Sequence, residues 1–353
     1  MRLRFLLLFL FASASLAQQP AARDHDMSHM QDAHSRDGFM QGGMHHAVAK
    51  GVKLESKSDE NSHLITLRIG PMTLPANTSH MKMPQPADLV WTIPISGWLL
   101  AYHPRLVDGA GNSVPGTVLH HVAFWNENRS DFLCPNKLEH IFGAGGELTD
   151  WAQIPGFGYR VEKRDQIRIE TMVHNPTATS YEKIFLEVSI PYADDAAPPS
   201  EKGAPNKSAY PTWIDVGGCG NSSYDLLAGP SKKVGSVAVK YSGVLLGVGG
   251  HMHDYGQQLT LESSAAKEPI AVLPAKSDGQ GHLLGIPVVT FFQTGGYHLA
   301  AGDKLTVTSS YNNVTGKLLR DGAMGIVVGY FVPQDPGALN ALRHPARVAD
   351  HQM

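Results

Sequence analysis

The stretch Leu64-Ile65-Thr66-Leu67-Arg68-Ile69 sets Ile65, Leu67 and Ile69 against Thr66 and Arg68. That is the two-residue period of a strand with one buried face. Similar short runs follow at Val90-Trp91-Thr92-Ile93, Trp98 to Tyr102, Val118 to Trp125, Gln166 to Val173 and Ile184 to Ile190. A second series covers Gly235 to Lys240, Val244 to Val248, Gln258 to Glu262, Pro287 to Phe292, Lys304 to Ser309 and Gly325 to Val332. Strands at such intervals, punctuated by 36 Gly and 23 Pro, predict an all-β chain of antiparallel β-sandwiches. Only Lys137 to Gln153 hints at a short helix or helical turns.

At 353 residues the chain has room for two domains. The reading places a signal peptide at 1–17, a tail at 18–50, one sandwich at 51–195, a linker at 196–212, a second sandwich at 213–335 and a C-terminal tail at 336–353. In the signal, Arg2 and Arg4 precede the apolar run Phe5 to Phe11 and the small-residue site Ser15-Leu16-Ala17. Export to the periplasm or outside the cell is therefore expected. Losing Arg2 and Arg4 from 29 basic residues leaves 27 against 32 acidic ones. There is no basic stripe for nucleic acid, and no second apolar run long enough to span a bilayer. Cys134 and Cys219 are the two cysteines. In an exported protein they either pair or remain two free thiols, and they form no Cys-X-X-Cys motif.

The tail from 18 to 50 lacks hydrophobic periodicity and reads as disordered. It interleaves His25, His29, His34, His45 and His46 with Met27, Met30, Met40 and Met44. Imidazole and thioether together suit copper. A flexible tail can capture the ion but cannot hold the rigid geometry of a catalytic centre.

Two strand-borne histidine clusters are better placed for chemistry. In Gly249-Gly250-His251-Met252-His253-Asp254-Tyr255-Gly256, the two imidazoles are two residues apart on a strand end and share a face. In Thr117-Val118-Leu119-His120-His121-Val122-Ala123-Phe124-Trp125 the two histidines are adjacent and would face opposite ways on a regular strand. Both can bind one metal only if the backbone bulges or one ring uses Nδ1. His174 ends another strand and can supply a third nitrogen, and Met324 opens an apolar strand. Two imidazoles with a thioether make a soft site suited to copper. His63, His80, His103, His140, His282 and His298 read as solvated or hydrogen-bonded side chains, any one of which can orient a ligand.

From about 85 to 332 the chain resembles the copper type II, ascorbate-dependent monooxygenases, whose best-known members are peptidylglycine α-hydroxylating monooxygenase and dopamine β-monooxygenase. His120, His121 and His174 match that family's first copper site, and His251, His253 and Met324 match its second. Ala101-Tyr102-His103-Pro104-Arg105 and Pro155-Gly156-Phe157-Gly158-Tyr159-Arg160-Val161 are also similar. The resemblance implies two tandem jelly-roll sandwiches with one copper each facing a solvent-filled cleft. It further implies O2 activation at the second site and electron supply from the first, reloaded by ascorbate or another small reductant.

Departures from the family narrow the substrate. Amidating enzymes carry a carboxylate-anchoring Arg two residues before His-X-His, where Gly249 stands here. They carry an Asn and a Tyr after the Met, where this chain has Ile326 and Val328. A small neutral or apolar substrate held by Ile326, Val328 and Tyr330 is expected, without nucleic-acid partners. One alternative is a non-catalytic copper-binding or storage protein working through its His/Met tail. Another is a lectin-like jelly-roll module with structural histidines. Gly-X-Ser-X-Gly and Walker-type sequences are absent.

Overall fold

Alternation at 64–69 becomes the strand Leu64–Leu74, in which Ile65, Leu67 and Ile69 are fully buried while Thr66 and Arg68 are half-buried. The structure is a computed structural model and describes residues 47–148, 150–196 and 205–345. The expected signal peptide, most of the His/Met tail and the end of the C-terminal tail lie outside the described residues.

The architecture is all-β, with only short 3-10 turns beside the strands. A seven-stranded sheet is built around the long strand Tyr181–Asp194, which pairs with Leu64–Leu74, Gly97–Leu99 and His103–Val107. Opposite it lies a four-stranded sheet ordered Leu89–Thr92, Gln166–Val173, Leu119–Ser130, Leu138–Gly145. Between them Ile65, Leu67, Trp91, Phe124, Ile167 and Val188 pack into one core. Each such side chain contributes roughly 1.5–3 kcal/mol through the area it removes from water.

A second pair of sheets follows in sequence. Leu319–Pro333 pairs with both Tyr210–Asp215 and Gly243–Met252 in a six-stranded sheet. A four-stranded sheet ordered Gly229–Ala238, Lys304–Asn313, Gly256–Ser263, Ala271–Pro274 covers its core, which holds Leu245, Val248, Leu259, Val307 and Phe331. Among the described strands pairing is antiparallel except for Lys207–Ser208, which runs parallel to Phe157–Val161.

Two stretches differ from the sequence reading. Residues 138–145, inside the expected helical stretch, form a strand whose residues pair with 121–130. Burial on both faces and pairing with a neighbour override weak helix propensity there. Within the expected linker, Lys207–Ser208 and the start of Tyr210–Asp215 are strands.

The connection after Leu119–Ser130 carries Phe132, Leu133 and Cys134 into the second core. There Cys134 forms a disulfide with Cys219. A third apolar cluster joins Ala123, Trp125 and Leu138 to Trp213, Met324 and Ile326. The two sandwiches are thus fastened by one covalent bond and a shared apolar seam beside the histidines. Among the described residues no helix is long and apolar enough to cross a membrane.

Candidate metal centre

The strand Leu119–Ser130 pairs with Gln166–Val173 through Leu119↔Val173 and then His121↔Met172. Two residues on one strand therefore oppose one step on the other, and His120 is the extra residue of a β-bulge. The bulge breaks the alternation that would separate adjacent side chains. As a result His120 Nδ1 lies 3.0 Å from His121 Nδ1.

His174 directly follows Gln166–Val173, and its backbone N–H donates to Val118 O at 3.1 Å. His80 opens the 3-10 turn His80–Lys82. His80, His120 and His174 each present a ring nitrogen within 4.8 Å of the other two. His120, His121 and His253 do the same. Of the expected first-site residues, His120 groups with His174 in one triad and with His121 in the other, but His121 and His174 share no triad. His80, which the sequence reading left among solvated histidines, completes the first, and His251 belongs to neither. His253 belongs by sequence to the other cluster, yet it packs its ring 4.5 Å from that of His120.

Gly243–Met252 places His251 opposite Ile326, and Met252 opposite Gly325, on Leu319–Pro333. Since cross-strand partners share a face and alternate residues repeat it, His251, His253 and Met324 lie on one face. Tyr311 pins this corner. Its hydroxyl accepts the N–H groups of His253 at 2.9 Å and Met324 at 3.1 Å, and donates to the Met324 carbonyl. Met324 is buried in the apolar seam with Trp125 and Trp213.

Glu147 reaches across from the first sandwich. Its Oε1 lies 3.2 Å from His251 Nδ1 and accepts the Gly145 N–H at 2.8 Å. Burial pushes the Glu147 carboxyl up, but the His251 ring and these hydrogen bonds outweigh it and hold the group below its usual range. Gly145 is required by this close approach, because a Cβ there would lie 2.5 Å from His251 Cε1 and 2.6 Å from Glu147 Oε2.

Burial, reinforced by neighbouring imidazoles, drives His120, His121 and His253 well below the ordinary histidine range. The same causes bring His174 down to about 4 and His140 to about 3. Such rings are neutral at pH 7 and offer lone pairs rather than positive charge, the form in which histidine binds metals. His251 Nε2 and His253 Nε2 are buried with no hydrogen-bond partner among the described residues. A buried unpartnered nitrogen is costly, and a metal ion would satisfy it. Both triads are all-imidazole, and with a thioether on the face of His251 and His253 the donors fit copper.

The cluster divides two spaces. Outside it, a cleft of about 400 Å³ is lined by His80, His120, His174, His253, Leu283 and Leu319 among others. Inside it, a cavity of about 40 Å³ is bounded by His121, Glu147, Trp151, His251, Val328 and Tyr330 among others. Ile326, expected beside Val328 and Tyr330 at the substrate, is fully buried and belongs to the apolar seam. His140 also borders the inner cavity, with its ring centroid 4.0 Å from that of Trp213.

No protein-family model matches the chain. Among solved structures, PNGF-II aligns at a TM-score of 0.38 and 9% identity, covering 83% of this chain and 63% of that one. One relative is described as a "Probable copper-dependent oxygenase clz3" from Cochliobolus lunatus, 25% identical over 242 residues that make up 62% of this chain and 72% of the relative. A second, from a Phoma species, is described as a "Probable copper-dependent oxygenase M1" at 25% identity over 242 residues. That alignment takes in 62% of this chain and 58% of the relative. The chain is thus weakly similar to fungal proteins described as copper-dependent oxygenases.

Proposed function

We propose that this chain is an exported copper-dependent monooxygenase with two tandem sandwich domains, at 51–195 and 213–335. Its substrate is a small neutral or apolar molecule, hydroxylated at a C–H bond with O2 and a reductant such as ascorbate. In the balanced reaction one oxygen atom enters the C–H bond and the other leaves as water, with two electrons from the reductant and two protons. The observation that carries the reading is the convergence of His80, His120, His121, His174 and His253 in two overlapping triads. The similarity to copper-dependent oxygenases supports the same chemistry. The disulfide between Cys134 and Cys219 agrees with export to an oxidising compartment.

Two coppers per chain are proposed, one held from the His120, His121 and His174 side and one from the His251, His253 and Met324 side. Copper, when bound, supplies the one-electron redox couple needed to activate O2. The protein's own work is positional. By accepting an Nδ1–H from His251, the Glu147 carboxylate would fix the tautomer that leaves Nε2 able to hold the metal. Tyr311 ties the backbones of His253 and Met324 together, so neither donor drifts independently.

The outer cleft has the volume for a small organic substrate, and Leu283 and Leu319 give it apolar wall. The inner cavity, at about 40 Å³, is too small for most organic substrates but has room for O2 or water, and Trp151, Val328 and Tyr330 line it. Val328 and Tyr330 therefore wall the small-molecule side of the centre, while the substrate approaches past Leu319.

The test is ascorbate-driven oxygen uptake by the copper-loaded chain across a panel of neutral aromatic and aliphatic compounds, with hydroxylated product identified by mass. His253→Ala should abolish product formation. Product formation unchanged in that variant would contradict the reading. A chain whose copper is all retained by residues 25–46, with no turnover, would instead be a copper-storage protein.

A further inference from the structure

We propose that His80 is a metal ligand, completing with His120 and His174 a three-imidazole site at the mouth of the outer cleft. The inference rests on the copper reading for the identity of the ion, and on geometry for the site. His80 thus adds a donor to the His120 and His174 side of the centre, beside His121, whose Nδ1 lies 3.0 Å from His120 Nδ1.

The first support is convergence. Ring nitrogens of the three residues fall within 4.8 Å of one another, and the rings of His80 and His120 are 4.4 Å apart. Three nitrogens bound to one ion at 2.0–2.1 Å are roughly 3.3–3.6 Å apart, so each ring must move by about 1 Å or less to close the set.

The second support is a scaffold built at each ligand. Gln85 is buried, and its Nε2 donates to the carbonyls of His80 at 3.0 Å, Met83 at 3.1 Å and Val173 at 3.0 Å. Its Oε1 accepts the Val173 N–H at 2.8 Å. One side chain therefore fastens the turn bearing His80 to the residue before His174. Next to it, Thr78 and Asn175 exchange both backbone hydrogen bonds at 2.8 Å. The His174 N–H bond to Val118 O extends the same network to the chain just before His120. All three imidazoles stand on backbone fixed within two residues of the ring. A surface histidine with no role would not need such a frame, whereas a metal site requires one.

His80 binds through its ring while the scaffold holds its carbonyl, so His80→Ala removes the donor and keeps the fold. The experiment loads the full chain and its His80→Ala, His120→Ala, His174→Ala and His103→Ala variants with Cu(II). Chelator competition gives the affinity, and electron paramagnetic resonance with X-ray absorption reports nitrogen ligation. The proposal expects His80→Ala to weaken one copper by 10-fold or more and to change its spectrum as His120→Ala and His174→Ala do, with His103→Ala unchanged. A spectrum and affinity unaltered in His80→Ala, but altered in His120→Ala, overturn the role of His80 and leave the copper reading standing. No change in any variant overturns both. His80→Gln, read beside thermal unfolding, separates loss of the ligand from loss of the fold.

Discussion

Glu147 and His251 meet across the two sandwiches, carboxylate Oε1 to imidazole Nδ1 at 3.2 Å, although 104 residues separate them in sequence. The Glu147 side chain is 3% exposed, so the contact is dry and its strength undiminished by solvent. Its second oxygen, Oε2, has no hydrogen-bond partner among the described residues. The pair does for His251 what a carboxylate commonly does for a metal-bound imidazole, holding one nitrogen so that the other is aimed.

Replacing Glu147 with Gln should weaken copper at the His251 side by roughly 10- to 100-fold, the usual cost of losing such a partner. Competition with a Cu(I) chelator measures it. Unchanged affinity in a folded Glu147→Gln chain would remove Glu147 from the site.

Gly145→Ala places a methyl group against His251 and Glu147, which are both held by their mutual hydrogen bond. Overpacking of this kind costs about 1–3 kcal/mol. Denaturant unfolding should show that loss, and copper binding should fall with it. A variant as stable as the parent would mean that the two sandwiches can separate at this point.

The disulfide Cys134–Cys219 closes a separation of 85 residues between the two sandwiches. On the chain-entropy account, its removal by Cys134→Ser with Cys219→Ser should cost about 4.5 kcal/mol. Guanidinium unfolding of the double variant against the oxidised parent measures this, and equal midpoints would refute it.

Asp131 predicts a pH dependence. Burial pushes its carboxyl up to about 6 from 3.8, against the opposing pull of the Cys134 and Leu133 N–H groups. The folded chain then holds a proton, between about pH 4 and 6, that the unfolded chain has released. Stability from this group is accordingly full below the unfolded value and lost as pH rises through about 6, by about 3 kcal/mol. Asp131→Asn keeps an acceptor oxygen but cannot ionise. In this variant the decline of stability between pH 4 and 7 should flatten, and an unaltered slope would place the proton elsewhere.

Much of the fold was legible because burial has a period. Ile65, Leu67 and Ile69 announced their strand by alternation, and the Val244 to Val248 run announced the strand that carries His251. Of the two conditions for His120 and His121 to bind one metal, a bulge or the use of Nδ1 by one ring, the bulge is present between Leu119 and His121. His80 was illegible because Ser79-His80-Met81-Lys82-Met83-Pro84 carries no strand period. Only the exchange between Thr78 and Asn175, together with Gln85, brings it to His174. Glu147 was hidden for a similar reason, since its partner lies on the other sandwich. Ile326 shows the converse. Comparison with the amidating enzymes placed it beside Val328 and Tyr330 at the substrate, but its side chain is fully buried in the apolar seam with Trp125 and Trp213, against which Val328 packs.

The central claim is that the metal belongs to the folded imidazole cluster, and copper per chain after dialysis tests it most directly. The measurement uses a chain lacking residues 18–46, so that the tail histidines cannot contribute. The account predicts two retained coppers, falling to about one in His251→Ala. No retained copper without the tail, and full binding once it is restored, would contradict it.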